Sequence, residues 1–417
     1  MSVNNTWDDY QFVFVNEEPS VLQNRQKQFE SIAQSNYPRI GKINLNKLDF
    51  TNLNISFKPT EKIETLSEEL KPFIEDESNI VVIKDGSIIY RNLDQSFDKI
   101  TITSYYNALE EKYSEAIEKL MGDLTEPSRD KFIALNKAMR NSGLLIEVPK
   151  NLVVKDTLKV HIIASKDLVH KTTIIAQPNS EFTLIEKIDN INSVHVNMLS
   201  HAEILDNAKF NYIGIDRLCE DTKAFIERSA NVYRDGNLTY ALGQLNDGHT
   251  VSNNIVKLIG ENATCESRNV LLTDRESIHA ITINIEHLAK HSIGNIVNHG
   301  IVKDKGYLHI DGIGKIHKGM SQSNAQQSTH VITLSDDAKV DANPYLLIDE
   351  YDVFAGHGAG IGQVDEEQLY YMMSRGMARR DAEKLIILGF LFPIIEMIDS
   401  DLIKEDFIKM IERKLSI

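Results

Sequence analysis

His357 stands between two glycines in the run Asp352-Val353-Phe354-Ala355-Gly356-His357-Gly358-Ala359-Gly360. So little side-chain bulk beside it leaves the imidazole open to a neighbouring surface, and neutral imidazole is a common metal ligand. On the residues alone a histidine in a glycine-rich turn is more often structural. The other groups that could do chemistry are sparse. Cys219 and Cys265 are the only cysteines, far apart and without a Cys-x-x-Cys neighbour. They build neither a disulfide framework nor a four-thiolate cluster site, and they read as small core hydrophobes in a reducing cytoplasm. His287 and His291 have the i, i+4 spacing of a helical metal pair. No glutamate follows His287, however, and the surrounding residues are strand-like, which favours polar positions on a sheet. His195, His201, His299, His309 and His317 have no ligand spacing. The glycines of Gly358-Ala359-Gly360-Ile361-Gly362 lack the full Gly-x-Gly-x-x-Gly pattern of a dinucleotide loop, and no phosphate-binding Gly-x-x-x-x-Gly-Lys-[Ser/Thr] occurs. The chain is therefore not itself an ATPase.

Charge narrows the partners. With 45 basic against 61 acidic residues the net charge is −16, which disfavours binding to a phosphate backbone. Nucleic acid is not an expected partner. The first residues lack the basic and apolar segments of a signal peptide. The longest apolar run, Leu385 to Ile395, contains Pro393 and is shorter than the ~20 residues that cross a bilayer, so it reads as a buried helix. The expectation is a cytoplasmic protein with no membrane contact.

Three regions must position these residues. Residues 1–140 read as a mixed, mostly helical N-terminal domain. One helix is expected over Glu17 to Asn36, with Arg25 a polar break in its stripe, one from Thr60 to Lys71, and one over Tyr105 to Met121. Between the last two, Ile80 to Tyr90 is a hairpin signal with Asp85-Gly86 at the turn. Residues 141–350 turn to short β-branched runs. A small turn pattern recurs there, at Asn179-Ser180-Glu181-Phe182, Asp206 to Phe210, Asp235 to Leu238, Glu261 to Thr264, Asp304 to Tyr307 and Asp336 to Val340. Such a loose period without intervening helices suggests a stacked β-solenoid, with a β-sandwich as the alternative. Residues 351–417 read as helical again, with Asp365 as N-cap, Gly376 closing the first helix, a second from Arg379 to Pro393, and a last amphipathic one carrying Phe407, Ile408, Ile411 and Leu415. Their apolar surface exceeds what an isolated trio can hide.

The glycine-histidine run, followed by Leu369-Tyr370-Tyr371-Met372-Met373-Ser374-Arg375-Gly376, resembles the C-terminal signature of the SufB/SufD family of iron-sulfur cluster assembly proteins. Asp130 to Met139, Gly143 to Pro149, and Gln326 to Leu334 with Asp341-Ala342-Asn343-Pro344 also match that family in order, so the likeness spans roughly residues 128 to 395. The first ~100 residues resemble it little. Glycine after the histidine, where the SufB side has glutamate, places the chain on the SufD side. Ala355 stands where many members carry a cysteine, which removes a thiol ligand.

That resemblance implies an α+β fold with a right-handed parallel β-helix core flanked by N-terminal and C-terminal helical regions. It implies a non-enzymatic scaffold subunit that pairs with a SufB-like paralogue through the β-helix and docks a SufC-like ABC ATPase through the C-terminal helices. His357 becomes an iron or cluster contact at the paralogue interface, with Tyr370, Arg375 and Leu385 in or beside the ATPase dock. The isolated chain is expected to bind no cofactor, an iron-sulfur cluster being held transiently in the complex. A SufB-type homodimer is one alternative. A β-helix carbohydrate-active enzyme or a hexapeptide acyltransferase fits less well, because the single Trp7 offers little sugar-stacking surface and the six-residue repeat is absent.

Overall fold

The computed structural model describes residues 6–14, 17–48, 50, 53–55, 66–74, 76–105, 107, 124, 126–396 and 401–415. The helix expected over Tyr105 to Met121 falls largely outside these residues, and of the one expected from Thr60 to Lys71 only residues 66–71 are described, where the chain makes a turn at 68–70 that leads into a short 3-10 helix, Lys71–Phe73. Helix α1 (Pro19–Gln34) starts at its proline as expected. Arg25 does more than interrupt the stripe: it is fully buried, paired with Glu17 at 2.6 Å and stacked on Phe14.

The hairpin forms from β1 (Ile80–Lys84) and β2 (Ser87–Asn92), and β3 (Thr101–Ser104) follows. Asp85 and Gly86 both have positive φ, the requirement of a tight two-residue hairpin. These strands join the β-helix: β1 runs parallel to one of its strands and β3 antiparallel to another, so the N-terminal region extends both sheets. Helix α2 (Lys131–Met139) is capped by Asp130, whose carboxylate accepts from the Phe132 and Ile133 amides.

From β4 (Ser142–Val148) onward the chain coils as a parallel β-solenoid of about eight turns. One sheet stacks β5 (Val153–Ala164), β7 (Glu181–Asn190), β9 (Lys209–Arg217), β11 (Asn237–Gln244), β13 (Thr264–Thr273), β15 (Ile293–Val302), β17 (Asn324–Thr333) and β19 (Phe354–Gln363). The other stacks β4, β6 (Leu168–Ala176), β8 (His195–Ile204), β10 (Lys223–Val232), β12 (His249–Leu258), β14 (Ile278–His287), β16 (Tyr307–Ile316) and β18 (Lys339–Ile348). The β-helix thus runs past residue 350 to Gln363.

Turn chemistry sets the period. Asn151, Asn179, Asn207, Asp235, Asn262, His291 and Gln322 occupy the same corner of successive coils with φ between 55° and 62°. Asn and Asp are the side-chain-bearing residues that tolerate this left-handed conformation best. Each amide in the column donates to a carbonyl of the next turn, as Asn179 does to Asp206 at 3.0 Å. The side chains add a ladder, Asn207 donating to Asn179 and Asn179 to Asn151. The recurrent turn pattern marks this corner at its first four occurrences, while Asp304 and Asp336 lie at the opposite corner.

Alternate residues of every strand point into the lumen, where Phe182, Phe210, Leu238, Cys265 and their neighbours form the main core. Outward residues are covered too. Phe132 of α2 stacks on Phe225 at 4.2 Å over one sheet. Over the other lie α4 (Arg379–Ile395) and α5 (Asp401–Leu415), which follow α3 (Glu366–Ser374) and bury Ile387, Leu391, Phe407 and Ile411 against Ile213, Ile215, Val270 and Leu272. Helix α4 continues through Pro393 to Ile395. It is not buried all round, since only one face meets the sheet and Leu385 and Phe392 are about half exposed.

Candidate functional site: the open end of the β-helix

Strands β18 and β19 end their sheets, each paired on one side only among the described residues. Each leaves a row of unpaired backbone groups, which proteins ordinarily cover, charge or shorten. Neither strand is short, and Tyr345, Leu347, Phe354 and Ile361 are exposed on this last coil.

His357 belongs to β19 and not to a glycine-rich turn. Glycines at 356, 358, 360 and 362 alternate with side-chain-bearing residues, and that period of two is a strand signature the glycine content obscured. Ala355, His357, Ala359 and Ile361 pair in register with Ala325, Gln327, Thr329 and Val331, all buried lumen residues. His357 therefore occupies a lumen-facing position. It is exposed because no further coil covers it.

Its Nδ1 lies 3.1 Å from the carbonyl oxygen of Pro344 on the opposite sheet. A carbonyl only accepts, so this contact requires the proton on Nδ1, the tautomer that in a neutral ring leaves the lone pair on Nε2. Histidines that ligate metals are commonly fixed in this way, the second ring nitrogen donating to a carbonyl. On the opposite, glycine-bearing face a Cβ at Gly358 or Gly362 would meet nothing within 4 Å, whereas one at Gly356 would come within 2.7 Å of Gln326 Oε1 and one at Gly360 within 3.1 Å of His330 Nδ1.

No thiol stands nearby. Cys265 lies on the same lumen column as Ala355, three strands deeper through Gly294 and Ala325, or about 14 Å at the usual strand spacing. It is a buried core residue whose thiol is pushed up by burial. Cys219 is half-buried with its Sγ 3.5 Å from Thr222 Oγ1. His287 ends β14 inside the lumen, bonded to Ser292, and His291 sits in the following turn, so the pair is not helical. His299 stacks on Phe390, His195 faces Asp167, His201 bonds Ser229, His309 faces Asp311 and His317 faces Glu286. Among the described residues no group of three or more His, Cys, Asp or Glu side chains is placed to hold a metal. His357 therefore belongs to no metal-holding cluster among the described residues.

Tyr370 lies on α3 and Arg375 at its C-terminal cap, while Leu385 lies on α4, the helix that follows. Asp365 caps α3 by accepting from the Glu367 and Gln368 amides, and Gly376 ends its turn with φ of 94°. Leu369 is buried, while Tyr370, Tyr371 and Met373 face outward. The Arg375 guanidinium lies 5.2 Å from the Tyr371 ring, and Arg379 ties α4 to α3 through Glu366 at 2.7 Å. Tyr371 and Met377 join Leu385 as exposed apolar groups that sequence reasoning did not single out.

Comparison with known proteins gives a consistent result. Residues 161–390 match the family described as SUF system FeS cluster assembly, SufBD core domain, and residues 47–160 match the SufBD protein N-terminal region. The likeness thus begins well before residue 128. The chain is 34% identical over 415 residues to the iron-sulfur cluster assembly protein SufD of Bacillus subtilis, covering 96% of this chain and 95% of that protein. It is 24% identical over 405 residues to an iron-sulfur cluster assembly SufBD family protein of Staphylococcus saprophyticus, covering 90% and 86%.

Proposed function

Because this chain belongs to the SufBD family, we propose that it is a subunit of an iron-sulfur cluster assembly complex, of the SufD type and without enzymatic activity of its own. The observation that carries the reading is the uncapped coil, where two unpaired strand edges frame a histidine with a free Nε2. A SufB-like paralogue ending in a similar open coil would pair on these edges by strand addition. It would supply the thiolate and carboxylate ligands that Ala355 and Gly358 do not. The cluster is cargo of the joined surface, held only while both subunits contribute.

The outward face of α3 and α4 provides a second contact. Tyr370, Tyr371, Met373 and Leu385 expose more apolar surface than the helix pair needs for its own packing, which suits a protein partner. A SufC-like ABC ATPase docked there would transmit its movement through α4, which rests on the β-helix, to the paired edges.

The test is co-expression with candidate SufB-like and SufC-like proteins, followed by measurement of subunit mass and bound iron. His357→Ala should leave the thermal transition and complex stoichiometry as in the parent, because an exposed truncation usually changes stability by no more than ~0.5 kcal/mol. Iron-sulfur reconstitution should fall sharply in the same sample. Full reconstitution by the variant would remove His357 from the site.

A further inference from the structure

The coil beneath His357 holds a second side chain aimed across the lumen. Gln327 of β17 is the register partner of His357 and is 6% exposed. Its amide lies between Gly312 and Gly314 of β16: a Cβ at Gly312 would come within 2.7 Å of Oε1, and one at Gly314 within 3.0 Å of Nε2. A side chain at Gly312 would displace it, and one at Gly314 would press it aside by a few tenths of an ångström. Nε2 donates to the Tyr345 carbonyl at 2.7 Å, while Oε1 is buried without a hydrogen-bond donor. The residue before Tyr345 is Pro344, whose carbonyl receives His357 Nδ1. Pro344 pairs with Gly312 on an edge strand and has no N–H to give the ladder. Two side chains in successive coils therefore grip consecutive carbonyls of β18 where that strand's own pairing is weakest.

We propose that Gln327 is a positioning residue for His357: by holding the Tyr345 carbonyl it keeps the Pro344 carbonyl where it fixes the His357 proton on Nδ1 and leaves Nε2 as the free ligand atom. Its consequence for cluster assembly rests on the reading of His357 given above, but the geometry is tested separately.

The experiment uses the full chain labelled with ¹⁵N-histidine, with the His357 signals assigned by their loss in His357→Asn. The parent should show His357 as the Nδ1–H tautomer. Gln327→Met keeps length without the amide, and in it His357 should move to a mixture dominated by the Nε2–H tautomer that free imidazole side chains prefer. Thermal unfolding checks the fold. Should that variant fail to fold, Gly312→Ala, whose methyl would lie 2.7 Å from Oε1 and push the amide aside, should give the same change. An unaltered tautomer in a folded variant overturns the proposal. Reconstitution in the complex is measured in parallel: a shifted tautomer with lost assembly supports both readings, and a shifted tautomer with full assembly upholds the positioning role while removing the ligand role.

Discussion

Arg228 and Asp216 meet inside the β-helix as a two-pronged ion pair, Nη2 to Oδ1 at 2.5 Å and Nη1 to Oδ2 at 3.1 Å, with both side chains 1% exposed. The pair is part of a larger polar knot. Arg228 Nε also donates to Tyr212, whose hydroxyl donates to Glu186, and Glu186 accepts further from Thr172 and Ser200. Every one of these residues lies on a lumen-facing position among apolar neighbours. Two strong charges in such a place are tolerable only because each is fully engaged.

Breaking that engagement should be costly. Arg228→Met strands Asp216 in a low-dielectric interior and is expected to lower stability by ~3–5 kcal/mol, the usual cost of removing one partner of a buried pair. The double variant with Asp216→Asn should regain a large part of the loss. Denaturant unfolding of the two variants and the parent checks it, and a double variant no more stable than the single one would show that the pair is not the origin of the effect.

This knot also marks what the sequence hides. Turn positions were legible because left-handed corners select Asn and Asp, as at Asn179, Asn207 and Asp235, and the cap of α3 was legible because Asp365 acts on amides two and three residues away. These are local signals. Arg228 and Asp216 carry no such local signal, since only the coil closure brings them together. His357 was legible as a residue and not as a position: its glycine neighbours suggested a turn, while strand pairing with β17 makes it the last rung of a lumen column. Gln327 lies in the run that resembles the family, yet nothing there marked its position, because its meaning comes from glycines that lie opposite in another sheet.

Acid should weaken the fold through buried histidines. His170 is held down to about 3 by burial and the Arg140 charge, His279 to about 3 by burial and the Lys414 charge, and His287 to about 4 by burial. Unfolded histidine titrates near ~6.5, so below that pH the unfolded chain takes up protons that the folded chain refuses. The stability these residues allow is complete above ~6.5 and is lost as pH falls toward 4, at up to ~1.4 kcal/mol per pH unit for each. Unfolding free energies measured from pH 7.5 to 5 should decline, and His279→Gln should flatten part of the decline. A level profile over that range would contradict the account.

Gly243 faces outward on β11 directly beneath α5. A Cβ there would lie 2.2 Å from Phe407 Cε2 and 2.6 Å from Cζ, so the glycine is what lets the helix seat. Gly243→Val should cost ~1–3 kcal/mol by overpacking. The damage should be local, appearing as faster amide exchange over residues 401–415 with the β-helix amides unchanged. Uniformly faster exchange would mean instead that the strand itself had failed.

The proposed contacts lie on different elements and should fail separately. Ile361 is lumen-facing on β19 and about half exposed, at the edge where strand addition would occur. A lysine there places charge on an edge that must be covered, the device by which sheets avoid pairing. Ile361→Lys should weaken association with a SufB-like paralogue at least tenfold, or ~1.4 kcal/mol, while binding to a SufC-like ATPase is kept. Leu385→Asp, on the exposed face of α4, should do the reverse. Both substitutions are at exposed positions, so thermal unfolding should barely move. Affinity is measured for each partner alone, before any complex forms, so that one contact cannot mask the other. Loss of both partners in either variant would mean that the strand edge and the helix face act as one surface, and the two-contact arrangement would have to be abandoned.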